Sequence, residues 1–247
     1  MSDYQISKVY PSDKRTNRLV SELLIKEGIR KDGNLDYTCA MFDDDMNVIA
    51  TGSCFGNTLR CMAVDSSHQG EGLMNEIVTH LMEVQFARGN MHLFLYTKCN
   101  SAKFFGDLGF YEIVRVDGQI VFMENRKTGF SGYLEKLKKE TCECKAYADQ
   151  TYADLADADK HCLTDHAAAS TDGSGTSGPV ISALVMNANP FTLGHQYLVE
   201  TAAASCDLLH LFIVSEDASL VPFTVRKKLV MEGTAHLKNI CYHESGP

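Results

Sequence analysis

The sequence predicts an α/β protein built of two successive domains, a mixed α/β domain followed by a parallel α/β domain. Three observations predict it. Residues 1–128 interleave helical periodicity with short strand-like runs. The stretch Ser170 to Gly178 is almost entirely Ser, Thr, Gly and Asp and offers nothing to bury. After it, the continuous apolar run Val180 to Met186 leads through a polar loop straight into a helical pattern, as a buried parallel strand does. The expected division is therefore 1–128, then a helix and flexible linker over 129–179, then a second domain over 180–247.

In chain order, Pro11 opens a helix with Leu19, Val20, Leu23 and Leu24 on one face, and Gly28 sits where a left-handed cap ends it. Strands follow over Tyr37 to Phe42 and Val48 to Phe55, joined by an Asp- and Asn-rich turn, and a third over Thr58 to Val64. A helix from about Gly72 to Arg88 is closed by Gly89-Asn90. His92 to Tyr96 is a β-prone run, succeeded by a short helix over Ala102 to Leu108. A hairpin then turns at Asp117-Gly118. Tyr133 to Glu140 reads as a charged, exposed helix. Beyond the linker come a helix over Gly194 to Ser205, a strand over Leu208 to Val214, a helix introduced by Pro222 and a short strand near Ile240. A parallel nucleotide-binding domain needs about 100 or more residues to cover both sheet faces. The second domain is therefore expected to be either incomplete at its C-terminus or a reduced form of the fold.

Composition narrows the function. The chain has 247 residues, of which 45% are hydrophobic, enough for a core in each domain. With 23 Lys and Arg against 32 Asp and Glu, the formal charge of -9 disfavours a surface that neutralises nucleic-acid phosphates. The nine Cys are scattered and odd in number, which reads as reduced thiols in a cytosol. Neither a leader-like start nor an apolar run of roughly 18 residues is visible, so the expectation is a soluble, cytoplasmic protein without a membrane segment.

Two constellations carry chemistry. In the first, Val64 to Met74 joins a strand to a helix through Gly70-x-Gly72, a loop able to present backbone N–H groups at the positive end of a helix dipole. One strand and one helix further on stands Asn100-Ser101-Ala102-Lys103-Phe104-Phe105-Gly106-Asp107-Leu108-Gly109-Phe110. Together these segments resemble the GNAT family of N-acetyltransferases over about the first 125 residues. The resemblance implies that the loop of Gln69, Gly70, Glu71 and Gly72 holds the diphosphate of a coenzyme A-like group, with Asn100 as a further contact to that group. Met74 departs from the small residue the family expects there. Phe104, Phe105 and Phe110 read first as core. His68, His80 and His92 are base candidates by residue type alone, and a thiol acceptor needs little base help.

In the second, the apolar strand runs into Asn187-Ala188-Asn189-Pro190-Phe191-Thr192-Leu193-Gly194-His195. Gly194 permits close approach of backbone to phosphate, with Thr192 and His195 beside it at a helix N-terminus. The segment resembles the Thr/His-x-Gly-His motif of the nucleotidyltransferase superfamily, which implies a partial Rossmann-like domain with Thr192 and His195 on ATP phosphates. Asn189 to Leu198, with an acetyltransferase-like domain ahead of it, is closer still to the citrate (pro-3S)-lyase ligase family. Pro222-Phe223-Thr224-Val225-Arg226 is similar to that family's segment after its second strand. There Arg226 is a phosphate-contact candidate, and a solvated helix face shared with Lys227 and Lys228 is the alternative.

The family resemblance implies catalytic roles for Thr192 and His195 and nucleotide contacts from Asn189, Pro190, Phe191, Thr192, Gly194, His195 and Arg226. It further implies ATP and acetate as substrates, Mg²⁺ as the ATP counter-ion with no carboxylate assignable to it, and the citrate lyase acyl carrier subunit with its coenzyme A-like prosthetic group as partner. No nucleic-acid or membrane partner is expected. Two other readings stay open: an acetyltransferase using acetyl-coenzyme A directly, and a non-catalytic nucleotide-binding or docking chain.

Overall fold

A computed structural model describes residues 4–144, 179–215 and 220–246. The stretch expected to act as linker lies, over 145–178, outside the described residues. The chain falls into two compact units, Met1–Phe130 and Ser131–Pro247.

The first unit is a seven-stranded mixed sheet in the order β1-β2-β3-β4-β5-β7-β6. Its strands are β1 (Ile6–Lys8), β2 (Tyr37–Phe42), β3 (Val48–Phe55), β4 (Thr58–Val64), β5 (Phe94–Thr97), β6 (Tyr111–Val116) and β7 (Ile120–Glu124). The helices are α1 (Lys14–Lys26), α2 (Leu73–Ala87) and α3 (Ala102–Asp107). Helix α1 begins three residues later than Pro11 implies, because Asp13 caps it, its Oδ1 accepting from Thr16 N–H at 3.0 Å. The sequence reading missed β1: three residues give no local signal, and the strand exists through antiparallel pairing of Ile6 with Met41 and Lys8 with Cys39.

Burial explains the sheet. Val20, Leu23 and Leu24 of α1 pack with Ala40, Val48 and Ala63 on one face. Ile77, Val78 and Leu81 of α2 pack with Cys39, Met41, Ile49 and Leu59 on the other. Strand β3 is covered on both faces and buried over Val48 to Cys54. Gly52 lets α2 approach: a Cβ there would lie 2.6 Å from Ile77 Cγ2 and 2.8 Å from Leu81 Cδ1.

The second unit contains α4 (Gly129–Glu143) from its third residue onward, β8 (Ile181–Met186), α5 (Leu193–Ala204), β9 (Leu208–Ile213), α6 (Phe223–Gly233) and β10 (Ile240–Glu244). The three strands are parallel, in the order β10-β9-β8. Val199 and Ala203 of α5 and Val230 of α6 pack on Leu209, Leu211 and Ile213. On the opposite face α4 meets β10, where Tyr133 O–H donates to Glu244 O at 2.8 Å and Glu140 Oε2 lies 3.1 Å from His243 Nδ1. The expectation of reduced thiols is corrected at one place: Cys144 and Cys241 form a disulfide, because folding brings the end of α4 against β10 across 97 residues of sequence. Among the described residues no helix is long and apolar enough to cross a membrane.

Candidate functional site

Each unit carries a candidate site. In the first, β4 and β5 pair in parallel only at Thr58 with Phe94 and Leu59 with Leu95. Past those pairs they line a cleft of about 830 Å³, with Cys61 to Val64 contributed by β4 and Tyr96 to Lys98 by β5 and the residue after it. The loop from β4 to α2 forms the rim. Asp65 anchors it: one carboxylate oxygen accepts from Ser67 N–H at 3.0 Å and the other from Lys26 Nζ at 2.7 Å. Those bonds hold the Asp65 carboxyl well below the usual carboxylate range. Glu27 adds a second tie, its Oε1 accepting from Ser66 N–H at 3.0 Å.

Gly70 and Gly72 then take φ of 94° and 82°, the left-handed region that glycine enters without a steric cost. Gly72 is the N-cap of α2 and has no side chain to satisfy the first N–H groups of the helix. A Cβ at either glycine would meet nothing within 4 Å. Their requirement is therefore conformational, and the space before the helix end is open.

Of the residues expected at this site, Gln69, Gly70, Gly72 and Asn100 line the cleft. Glu71 does not: the loop turns its exposed carboxylate to His68, with Oε1 3.1 Å from Nδ1. Phe105 and Phe110 are core, as read from sequence, whereas Phe104 is 38% exposed and lines the cleft. The sequence reading missed Glu27 to Ile29, Cys61 to Val64 and Lys98, which only the meeting of α1, β4 and β5 assembles. Lys98 Nζ lies 3.4 Å from Glu27 O. Burial raises the Cys61 thiol, so this lining sulfur is a poor nucleophile. His80 and His92 are engaged structurally, with His80 Nε2 2.7 Å from Tyr37 Oη and His92 Nε2 2.6 Å from Glu124 Oε2.

The second site stands at the C-terminal end of β8, the end at which open parallel sheets bind ligands. Ala188 takes φ of 50° and the Asn189-Pro190 peptide is cis. Thr192 is the N-cap of α5, and its N–H donates to His195 Nδ1 at 3.2 Å. Because a backbone N–H can only donate, Nδ1 is the acceptor and the imidazole proton sits on Nε2. Thr192 Oγ1 lies 2.8 Å from the same Nδ1 and donates its hydroxyl hydrogen to it. His195 is half-buried, and Thr192 and Gly194 are exposed. The turn thus sets an imidazole whose Nε2–H faces away from Thr192 beside the N–H groups at the start of α5, a helix end where anionic charge is favoured.

Asn189 and Phe191 are half-buried and shape this turn, whereas Pro190 is exposed. Asn189 Oδ1 accepts from Val221 N–H at 3.1 Å. Phe191 packs against α6, where a Cβ on Gly233 would lie 2.5 Å from its Cε1, and its ring centroid is 6.0 Å from that of His195. Arg226 departs from the solvated-face reading. It is fully buried rather than on a solvated face, and donates to carbonyl oxygens of Asn187, Val214 and Val221. A helical signal for this existed, since Arg226 precedes buried Val230 by one turn.

Among the described residues no group of three or more His, Cys, Asp or Glu is placed to hold a metal ion. The family model for the citrate lyase ligase C-terminal domain matches residues 181–247. The chain is 32% identical over 237 residues to the citrate (pro-3S)-lyase ligase of Escherichia coli K12, covering 96% of this chain and 57% of that protein. It is 30% identical over 239 residues to the Haemophilus influenzae protein of that name, covering 97% and 61%. To that of Klebsiella pneumoniae it is 36% identical over 214 residues, covering 85% and 52%. Similar solved structures include Escherichia coli ElaA, with a TM-score of 0.43 and 13% identity over 50% of this chain and 99% of that one. Another is glucosamine-6-phosphate N-acetyltransferase of Arabidopsis thaliana, with a TM-score of 0.39 and 20% identity over 47% and 96%. The chain spans between half and two thirds of the length of these curated relatives, 52 to 61%. With matches that run along 85 to 97% of its own residues, the chain is similar over most of its length to citrate (pro-3S)-lyase ligases.

Proposed function

We propose that the chain takes part in ATP-dependent acetylation of a thiol on the citrate lyase acyl carrier subunit, in the cytoplasm. An acetate oxygen attacks the α-phosphorus of ATP, forming acetyl adenylate and releasing pyrophosphate. The carrier thiol then gives up its proton, its sulfur bonds to the acetyl carbon, and AMP leaves. The observation that carries this reading is the turn at Thr192, where His195 is held with Nε2–H directed away from its Thr192 contacts at the N-terminus of α5. Such donors stabilise the charge that grows on the phosphates as pyrophosphate departs. Mg²⁺ enters as part of the substrate, bound by phosphate oxygens.

The roles divide by domain, taken as 1–128 for the acetyltransferase-like part, 129–179 for the connecting helix and linker, and 180–247 for nucleotide binding. Thr192, Gly194 and His195 take the triphosphate. The Gln69 to Gly72 loop, with Asn100, takes the diphosphate of the carrier's coenzyme A-like arm in the cleft. This assignment is supported by the cleft's open space in front of the uncapped α2 N-terminus. Acetate-dependent pyrophosphate release from ATP, followed with the 247-residue chain and the thiol form of the carrier, tests the reading. Release that requires acetate supports it. Acetyl transfer from acetyl-coenzyme A without ATP replaces it by direct acetyltransfer, and ATP binding without release replaces it by a binding role.

A further inference from the structure

Arg226 heads the fully buried side chains by volume among the described residues. A buried cation is costly unless its donors are matched, so the groups it touches define its task. Its Nε donates to Val221 O at 2.9 Å. Its Nη1 lies 2.7 Å from Asn187 O, 2.8 Å from Asn187 Oδ1 and 2.8 Å from Val214 O. These acceptors come from three separate segments: Asn187 directly follows β8, Val214 directly follows β9, and Val221 precedes α6. One planar guanidinium therefore ties together the carboxyl ends of two adjacent parallel strands and the entry to the next helix. A second tie closes the ring, because Val221 N–H donates to Asn189 Oδ1 at 3.1 Å. Both peptide groups of Val221 are thus used to fasten the segment that runs from Asn187 into Thr192.

We propose that Arg226 is a positioning residue, which sets the Thr192–His195 turn for a triphosphate by holding the carbonyls of Asn187, Val214 and Val221, with Asn189 as the second fastener. The proposal rests on the reading of that turn as the ATP site. It assigns to Arg226 an effect on nucleotide affinity that passes through the backbone rather than through a bond to phosphate. A lysine cannot substitute, because a single ammonium nitrogen does not reproduce the fork that reaches Val221 O and Asn187 O together.

The experiment titrates MgATP into the 247-residue chain and its R226K and N189A variants, and measures amide hydrogen exchange of each without ligand. With R226K the dissociation constant rises tenfold or more at unchanged stoichiometry, and exchange accelerates over residues 187–195 and at Val221 while the amides of β8 and β9 stay protected. A merely structural loss would instead lower stoichiometry at an unchanged dissociation constant. N189A accelerates exchange at Val221 and raises the dissociation constant severalfold, and it decides the matter if R226K does not fold. Wild-type affinity in R226K, or a raised dissociation constant without any change in exchange, overturns the proposal. Wild-type affinity in N189A despite fast exchange at Val221 overturns it as well. A wild-type chain that binds no MgATP instead overturns the reading of the turn itself, and the proposal with it.

Discussion

Helix α2 supplies a matched pair of glycines on which the assignment of the first cleft can be judged. Gly72 precedes the helix with φ of 82° and Gly89 follows it with φ of 87°, and a Cβ added at either meets nothing within 4 Å. Replacing either by Ala places an L side chain in the left-handed region, at a cost of about 1–2 kcal/mol. The folding constant falls by a factor of roughly 5 to 30, and the melting temperature by a few degrees. The two positions differ in one respect: Gly72 lines the cleft and Gly89 does not. In G72A the new methyl group intrudes on the space where a diphosphate meets the first N–H groups of α2. Losing one charge-assisted hydrogen bond there costs about 1.5–3 kcal/mol, or roughly 10- to 150-fold in affinity. Urea denaturation of both variants reads the first effect, and titration with dephospho-coenzyme A reads the second. Equal destabilisation with weakened binding in G72A alone is the expected result. Equal affinity in G72A and G89A would refute the assignment of this loop to a diphosphate.

At the second site, His195→Ala removes the outward N–H donor and is expected to slow acetate-dependent pyrophosphate release by about 100-fold or more; a rate within a factor of two of wild type would exclude a role on the phosphates. Stability should depend on pH through His80 and His210, both lowered below the ordinary imidazole value of about 6.5, His80 by burial and His210 by burial and then by the neighbouring His243. The unfolded chain then binds protons more readily, so stability is full above pH 6.5 and declines as pH falls from there towards the depressed folded values. A melting temperature that stays level from pH 8 to pH 5 would contradict this. Glu124 is buried and accepts from Phe130 N–H at 2.8 Å through one oxygen while the other faces His92. Glu124→Gln should cost about 1–3 kcal/mol by urea denaturation, and Gly129→Ala should also destabilise, since its Cβ would press on the same carboxylate.

Much of the scaffold was legible because it follows from local physics. Val20, Leu23 and Leu24 recur on one helical face and are buried on it. The apolar run from Ile181 to Met186 is a parallel strand leading into a helix whose N-cap is Thr192, to which His195 bonds back, but as the edge strand of its sheet it is exposed at Ile181, Ala183 and Val185 rather than buried as the sequence suggests. Other features had no such signal. Strand β1 is made by its partner β2, the lining of the first cleft comes from segments spread between Glu27 and Ile120, and Arg226 sits beside two lysines in a run that reads as solvated.

By itself the sequence determined what short-range sterics and periodicity can decide. It marked Gly70 and Gly72 as a loop that presents backbone N–H groups ahead of a helix, Thr192 to His195 as a helix start, and the order of the helices and of every strand but β1. Tertiary structure alone decided which side chains look outward from those turns. It turned Glu71 towards His68, seated Phe191 on Gly233, joined Cys144 to Cys241 and buried the guanidinium of Arg226 among carbonyls. The physical reason is that a local pattern encodes a residue's own conformation. Its burial and its hydrogen-bond partners are set by segments far away in the chain, whose approach no local pattern records.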